Sequence, residues 1–193
     1  FTLHAVVPAP RTILNGVKKL PPATAMTISA EGQVTQRTYW HLNATRPALE
    51  LSEQDWLNAT RTVLARAVER HRLASDVPVG VLLSGGLDSS LLVGLLADHV
   101  DDLLTFSVGF EDVGEGTEKA DEFEYSDQVV ERFKTRHHKY LIPNAEVLKR
   151  LPEAVAQMAE PMVGQDAVAF YLLGEKVSKE VKVVLSGQGA DEV

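Results

Sequence analysis

The chain is predicted to fold as an α/β domain, a parallel sheet with helices on both faces, preceded by a β-rich stretch. Three observations predict it. From residue 52 onward, short runs rich in valine and leucine alternate with helix-length segments, the rhythm of β-α-β crossovers. Two of those runs, residues 79–83 and 181–185, each lead into a Ser-Gly turn followed by an acid. In a parallel sheet such turns gather at one edge, where the strands end. The 193 residues, 45% of them hydrophobic, suffice for one such core with part of a second domain.

The elements follow in order. Residues 1–47 are rich in Pro and Thr, and β-prone runs at 3–7, 25–29 and 33–40 predict strands separated by turns. A connection over 44–51, containing Pro47, places the boundary near Arg46, so that domains of 1–46 and 47–193 are expected. Ser52 with Asp55 three residues later resembles a capping box, and Trp56, Thr60, Val63, Leu64, Ala67 and Val68 keep helical spacing. A helix over 52–73 is therefore expected to pack on the sheet. Arg61, Arg66, Arg70 and Arg72 recur along it with Glu69 between them, which reads as a solvated face. Next are expected a strand at 79–83, a helix at 89–98, a strand at 104–109, a helix at 123–134 and a strand at 138–142, entered by His137 and His138. Residues 112–124, acidic and glycine-rich, read by default as a solvated loop, the alternative being a mobile loop beside the ligand site. Helical segments at 145–159, interrupted or restarted at Pro152, and at 167–178 precede the last strand.

Composition bounds the function. The 27 acids against 19 basic residues leave a net charge of −8, which argues against nonspecific binding to nucleic acid or to an anionic membrane. Cysteine is absent, so there is no disulfide framework or thiolate metal site, and a reducing cytoplasm is the expected compartment. No run reaches transmembrane length without a charge, and the first residues carry no signal-peptide pattern. With Phe1 as its first residue, the chain is expected to be an excised piece of a soluble protein.

The chemistry concentrates in the loop after the strand at 79–83. Gly85 and Gly86 lack side chains, so backbone amides can approach an anion, while Ser89 and Ser90 sit where the next helix presents unpaired N–H groups and its positive dipole end. Asp88 in the same loop would repel a polyphosphate unless a divalent cation lay between them, which points to a magnesium-nucleotide. The alternative is a tight turn in which Asp88 and the serines only cap the helix. A Walker A loop is excluded, because no Gly-x-x-x-x-Gly-Lys-Ser/Thr run occurs. The run Ser186-Gly187-Gln188-Gly189-Ala190-Asp191-Glu192 repeats the plan, so Asp88 and Asp191 are expected to face one bound ion. Read alone, it would equally be a loop ending in an Asp cap.

The first run resembles the pyrophosphate-binding loop of the ATP pyrophosphatase superfamily, of the adenine nucleotide α hydrolase-like fold. With the second, it makes the chain resemble the synthetase half of the asparagine synthetase family of glutamine-dependent amidotransferases. Thr105 to Phe110 resembles that family's second strand and Thr135 to His138 the approach to its third. Residues 8–22 with Tyr39 and Trp40 resemble the end of its glutaminase domain and the linker. The resemblance implies ATP and Mg2+ as cofactors, with Leu82, Leu83, Ser84, Gly85, Gly86, Leu87, Asp88, Ser89 and Ser90 holding nucleotide and pyrophosphate. Leu82 and Val108 would flank adenosine, and Ser186 with Gly187 would contact it from the other side. Asp88 and Asp191 would hold the metal, and Glu192 would orient the acceptor or take a proton.

The implied reaction is attack by an acceptor carboxylate on the α-phosphorus of ATP, loss of pyrophosphate, and displacement of AMP by ammonia derived from glutamine. The glutaminase cysteine and a downstream lysine-bearing helix, both expected in the family, are not in this sequence. Asp166 either caps a helix or lies beside the acceptor. Many family members carry Asp or Glu where this chain has Gln188. A neutral amide there suits an acceptor whose amino group is already acylated, and residues 160–193 resemble the branch that amidates N-acetylglutaminylglutamine. The acceptor is thus aspartate or an N-acylated glutamine dipeptide, and a homodimer is compatible with either. The rival readings are another ligase of the superfamily, such as a β-lactam, GMP or NAD synthetase, and a nucleotide-binding module without catalysis.

Overall fold

The computed structural model describes residues 7–43, 50–111, 123–160 and 166–189. Two compact units emerge, one of Phe1–Glu50 with Val155–Gln165, the other of Leu51–Ala154 with Asp166–Val193.

In the first unit, β1 (Thr24–Ile28) pairs antiparallel with β2 (Val34–Thr38), from Thr24 opposite Thr38 to Ile28 opposite Val34. The turn closes through Ser29 N–H to the Gln33 carbonyl at 2.9 Å, and Gly32 takes a φ of +81° that a side chain would resist. Both strands are exposed. Elsewhere in this unit Lys19 donates to the Val7 carbonyl at 2.6 Å and forms an ion pair with Glu160, whose other carboxylate oxygen is buried without a partner among the described residues. The strand expected at 3–7 falls, apart from Val7, outside the described residues.

The second unit is a four-stranded parallel sheet of β3 (Val79–Leu82), β4 (Leu104–Phe110), β5 (Arg136–Ile142) and β6 (Val183–Leu185), in the order β5-β4-β3-β6. Helices α1 (Glu53–Leu73), α2 (Leu87–Ala97), α3 (Phe123–Phe133), α4 (Asn144–Gln157) and α5 (Asp166–Val177) complete it. The period of two along the strands sorts side chains between two cores. Val81 and Leu83 meet Val68 of α1 and Val93 and Leu96 of α2. Leu82, Leu104 and Phe106 meet Leu173 and Val177 of α5 on the opposite face, where Ile142, Ala154, Val168 and Leu172 continue the packing. The α/β architecture with helices on both faces is therefore the one the sequence predicts. Among the described residues no helix is long and apolar enough to cross a membrane.

Four details depart from the sequence reading. The capping box forms, with Ser52 and Asp55 exchanging backbone hydrogen bonds. Yet α1 buries only Val68, while Trp56 and Val63 stay 45% and 63% exposed. A 21-residue helix is about 30 Å long, whereas strands of three to seven residues span about 10 to 23 Å, so the sheet is too short to cover all of it. Helix α2 starts at Leu87 rather than residue 89, because Gly86, not a serine, is its N-cap. Strand β5 starts at Arg136, whose N–H reaches the Leu103 carbonyl at 2.9 Å, and so includes both histidines. Helix α4 runs through Pro152 unbroken. The proline deprives only the Leu148 carbonyl of its partner, on a residue 77% exposed where water can take its place.

Candidate functional site

The site forms where the direction of winding reverses. From β3 the chain steps to β4 and β5 on one side, then returns to lay β6 on the other side of β3. The loops leaving β3 and β6 diverge there and leave a crevice. A cavity of about 460 Å³ occupies it.

The end of β3 is fastened first. Leu83 N–H donates to the Phe106 carbonyl at 2.8 Å, and the Ser107 hydroxyl donates to the Leu83 carbonyl. The loop then closes on itself. Ser84 N–H donates to Ser89 Oγ at 3.3 Å, the two hydroxyls lie 3.0 Å apart, and Gly86 N–H donates to Ser84 Oγ at 3.2 Å. The Gly86 carbonyl receives the hydroxyls of Ser89 and Ser90 at 3.2 and 2.7 Å. These bonds use up the serine hydroxyls but not the first-turn amides of α2. Gly86 has no side chain to cap them, so the N–H groups of Leu87, Asp88 and Ser89 have no side-chain cap at the positive end of the helix dipole. That arrangement accepts an anion.

The two Ser-Gly turns meet. A Cβ on Gly187 would lie 2.8 Å from Asp88 Cβ and 3.0 Å from Ser89 N, so only glycine allows the β6 loop this close to α2. Gln188 N–H donates to Ser186 Oγ at 3.3 Å, and Gly189 turns the chain with a φ of +88°. Leu82, Leu83, Ser84, Gly86, Leu87, Asp88 and Ser89 all line the cavity, as do Val108, Ser186, Gly187 and Gln188. Gly85 and Ser90 do not. Gly85, at a φ of +96°, lies against α3, where a Cβ would come within 2.7 Å of Ser126 N and Tyr125 Cβ. Ser90 spends its hydroxyl on the helix. Asp166 begins α5, while Asp191 and Glu192 lie outside the described residues.

The Asp88 carboxylate has no hydrogen-bond or ion-pair partner among the described residues, and no cluster of three metal-ligating side chains occurs among them. A lone hard oxygen donor beside an anion-binding helix end fits magnesium, which is bound through one or two carboxylates together with substrate phosphates and water. His137 and His138 stay outside the cavity. His137 Nδ1 lies 2.9 Å from Thr105 Oγ1, and burial first, then the Lys139 charge, lowers its pKa. His138 lies between Phe106 and Tyr140, with ring centroids 5.3 and 6.4 Å away. Besides Gly189 of the second Ser-Gly run, four lining residues were not assigned to the site from the sequence: Phe106, Ser107, Phe170 and Leu173. The first two lie in a strand already assigned to the site. The signal for the others was the apolar stripe of α5, which reads as ordinary core.

A family model described as asparagine synthase matches residues 59–193. Asparagine synthetase [glutamine-hydrolyzing] 1 of Bacillus subtilis is 33% identical over 187 residues, covering 97% of this chain and 28% of that protein. A putative asparagine synthetase [glutamine-hydrolyzing] 2 of Methanocaldococcus jannaschii is 34% identical over 190 residues, covering 97% and 35%. A carboxyethyl-arginine β-lactam-synthase of Streptomyces clavuligerus is 31% identical over 182 residues, covering 92% and 33%. The chain therefore spans between 28% and 35% of the length of these relatives.

Proposed function

The chain belongs to the asparagine synthase family, and from that premise we propose that it is the nucleotide-binding part of an ATP-dependent amide-forming ligase. One observation carries the reading: the turns after β3 and β6 meet at Gly187 and Asp88 beside the uncapped start of α2. The first-turn amides receive the phosphate chain, and Leu82 and Val108 flank the adenosine with Ser186 and Gly187 opposite. Asp88, with Asp191, would hold magnesium, which when bound would offset the charge of the departing pyrophosphate.

The acceptor's carboxylate oxygen attacks the α-phosphorus, and the bond from that phosphorus to the β-phosphate oxygen breaks. Pyrophosphate leaves with the electron pair. Ammonia then adds to the acyl carbon, the carbon–oxygen bond breaks, and AMP departs as the nitrogen loses a proton. Glu192 orients the acceptor or takes that proton, Asp166 stands beside the acceptor, and glutamine is the source of the nitrogen. Gln188, a neutral amide in the cavity lining, favours an acceptor with an acylated amino group over one with a free ammonium.

The test is pyrophosphate release by the full-length protein with Mg-ATP and either aspartate or N-acetylglutaminylglutamine. Release triggered by the dipeptide supports the proposal; an exclusive response to aspartate overturns the acceptor assignment. No release with either acid leaves a nucleotide-binding module. The likeness to a β-lactam-synthase favours one second reading, in which the attacking amine belongs to the acceptor itself. Release and amide formation without ammonia or glutamine would decide for it.

A further inference from the structure

We infer that Phe170 is the aromatic platform for the nucleotide base, an assignment that rests on the nucleotide reading above and adds to it the residue that fixes the base end. The amides of Leu87 to Ser89 and the Asp88 carboxylate define the phosphate end of the cavity. The apolar lining comes from Leu82, Val108, Leu173 and Phe170, beside the polar Ser107, Ser186 and Gln188. Phe106 also borders it, but is only 1% exposed and has almost no ring surface to offer.

The position of Phe170 explains why its ring is open. Phe170, Leu173 and Val177 recur at spacings of three and four, one stripe of α5. Leu173 and Val177 are each 5% exposed against Leu104 and Phe106, whereas Phe170 is 40% exposed. Helix α5 precedes β6, which runs parallel to β3, so α5 travels back along the sheet and its first half lies over the carboxyl ends of the strands. At Phe170 the stripe has run past the strands and faces the cavity instead of the core. A phenyl ring held there gains only when something apolar and flat covers it. A nucleobase does this, with an additional stacking term, whereas the carboxylates of an acceptor gain nothing from the electron-rich face of a ring that cannot donate a hydrogen bond. The same lack means Phe170 supports binding of any base without reading its edge, with the larger purine face favoured.

The experiment compares equilibrium binding of Mg-ATP and of magnesium tripolyphosphate, which lacks a base, by the full chain and its Phe170→Leu and Phe170→Trp variants. Melting curves check that each variant is folded. Base–aromatic stacking predicts that Phe170→Leu weakens Mg-ATP about tenfold, shifts tripolyphosphate by less than about twofold, and that Phe170→Trp keeps the affinity for Mg-ATP. Unchanged Mg-ATP affinity in a folded Phe170→Leu variant overturns the inference. So does equal weakening of both ligands, which marks a distorted phosphate loop, or a raised acceptor KM with Mg-ATP binding intact. If the unaltered chain binds neither ligand, the nucleotide reading falls and this inference falls with it, a result distinct from the other three.

Discussion

Gly187 and Asp88 couple the two halves of the site through a space too small for a methyl group. The Gly187→Ala substitution places a carbon 2.8 Å from Asp88 Cβ and 3.0 Å from Ser89 N, so α2 and the β6 loop must separate. Overpacking of this kind costs about 1 to 3 kcal/mol, and it acts where the amides proposed to receive phosphate are held. Mg-ATP affinity is expected to fall at least about tenfold by titration, with far-UV circular dichroism unchanged; an unaltered affinity would show that the loops need not touch. Asp88→Asn tests the metal role. With no partner among the described residues to lose, the variant should melt within about 0.5 kcal/mol of the parent. Its pyrophosphate release should fall about a hundredfold or more, and excess magnesium should not restore it. Both residues were legible in the sequence, because a Ser-Gly turn after an apolar strand is a short-range pattern. The packing of Gly85 on Tyr125 and Ser126 was not, since it depends on where α3 lies.

At the scale of elements, the strength of the local signal decided what could be read. Ser52 and Asp55 announce the start of α1 because a capping box involves four consecutive residues, and the Asp55 carboxyl is held below its ordinary pKa by hydrogen bonds from the Ser52 side chain and then its backbone. Ser52→Ala should cost about 1 kcal/mol by chemical denaturation; no change would mean that the exposed part of α1 contributes nothing to global stability. How little of α1 is buried was hidden, because helical periodicity reports a face and not what covers it. Strand β5 shows the same limit. Its pairing with β4, from Leu104 opposite Arg136 onward, takes His137 into the sheet beside Thr105. The lowered pKa of His137 comes first from burial, so folding favours the neutral ring. Its contribution to stability is complete above the ordinary histidine value of 6.5 and is lost as the pH falls through the lowered folded value. His137→Gln should flatten the stability profile below about pH 6.5, measured as denaturation midpoints across pH; an identical slope in the variant would remove His137 as the cause.

Across the whole molecule, the order β5-β4-β3-β6 sets the candidate site between segments distant in sequence, the loop after β3 and the loop after β6. A ligand seated on the α2 amides and the β6 loop bridges those segments and binds only when the sheet is formed, so its binding energy adds to folding stability. The chain's net charge of −8 and Asp88 itself oppose a bare polyanion, and the bridge should therefore require magnesium. At a concentration one hundred times its dissociation constant, magnesium pyrophosphate should stabilise the sheet unit by about 2.7 kcal/mol. For a chain of this size that raises the melting temperature by about 5 to 10 °C, and a chelator should remove most of the gain. Hydrogen exchange localises the effect: amides at Leu83 to Ser89 and Ser186 to Gly189 should slow, while those of the hairpin from Thr24 to Thr38, in the other compact unit, should not respond. A shift of the same size without magnesium, or equal slowing of the hairpin amides, would mean that the anion binds the surface generally and that the junction of β3 and β6 is not where it is held.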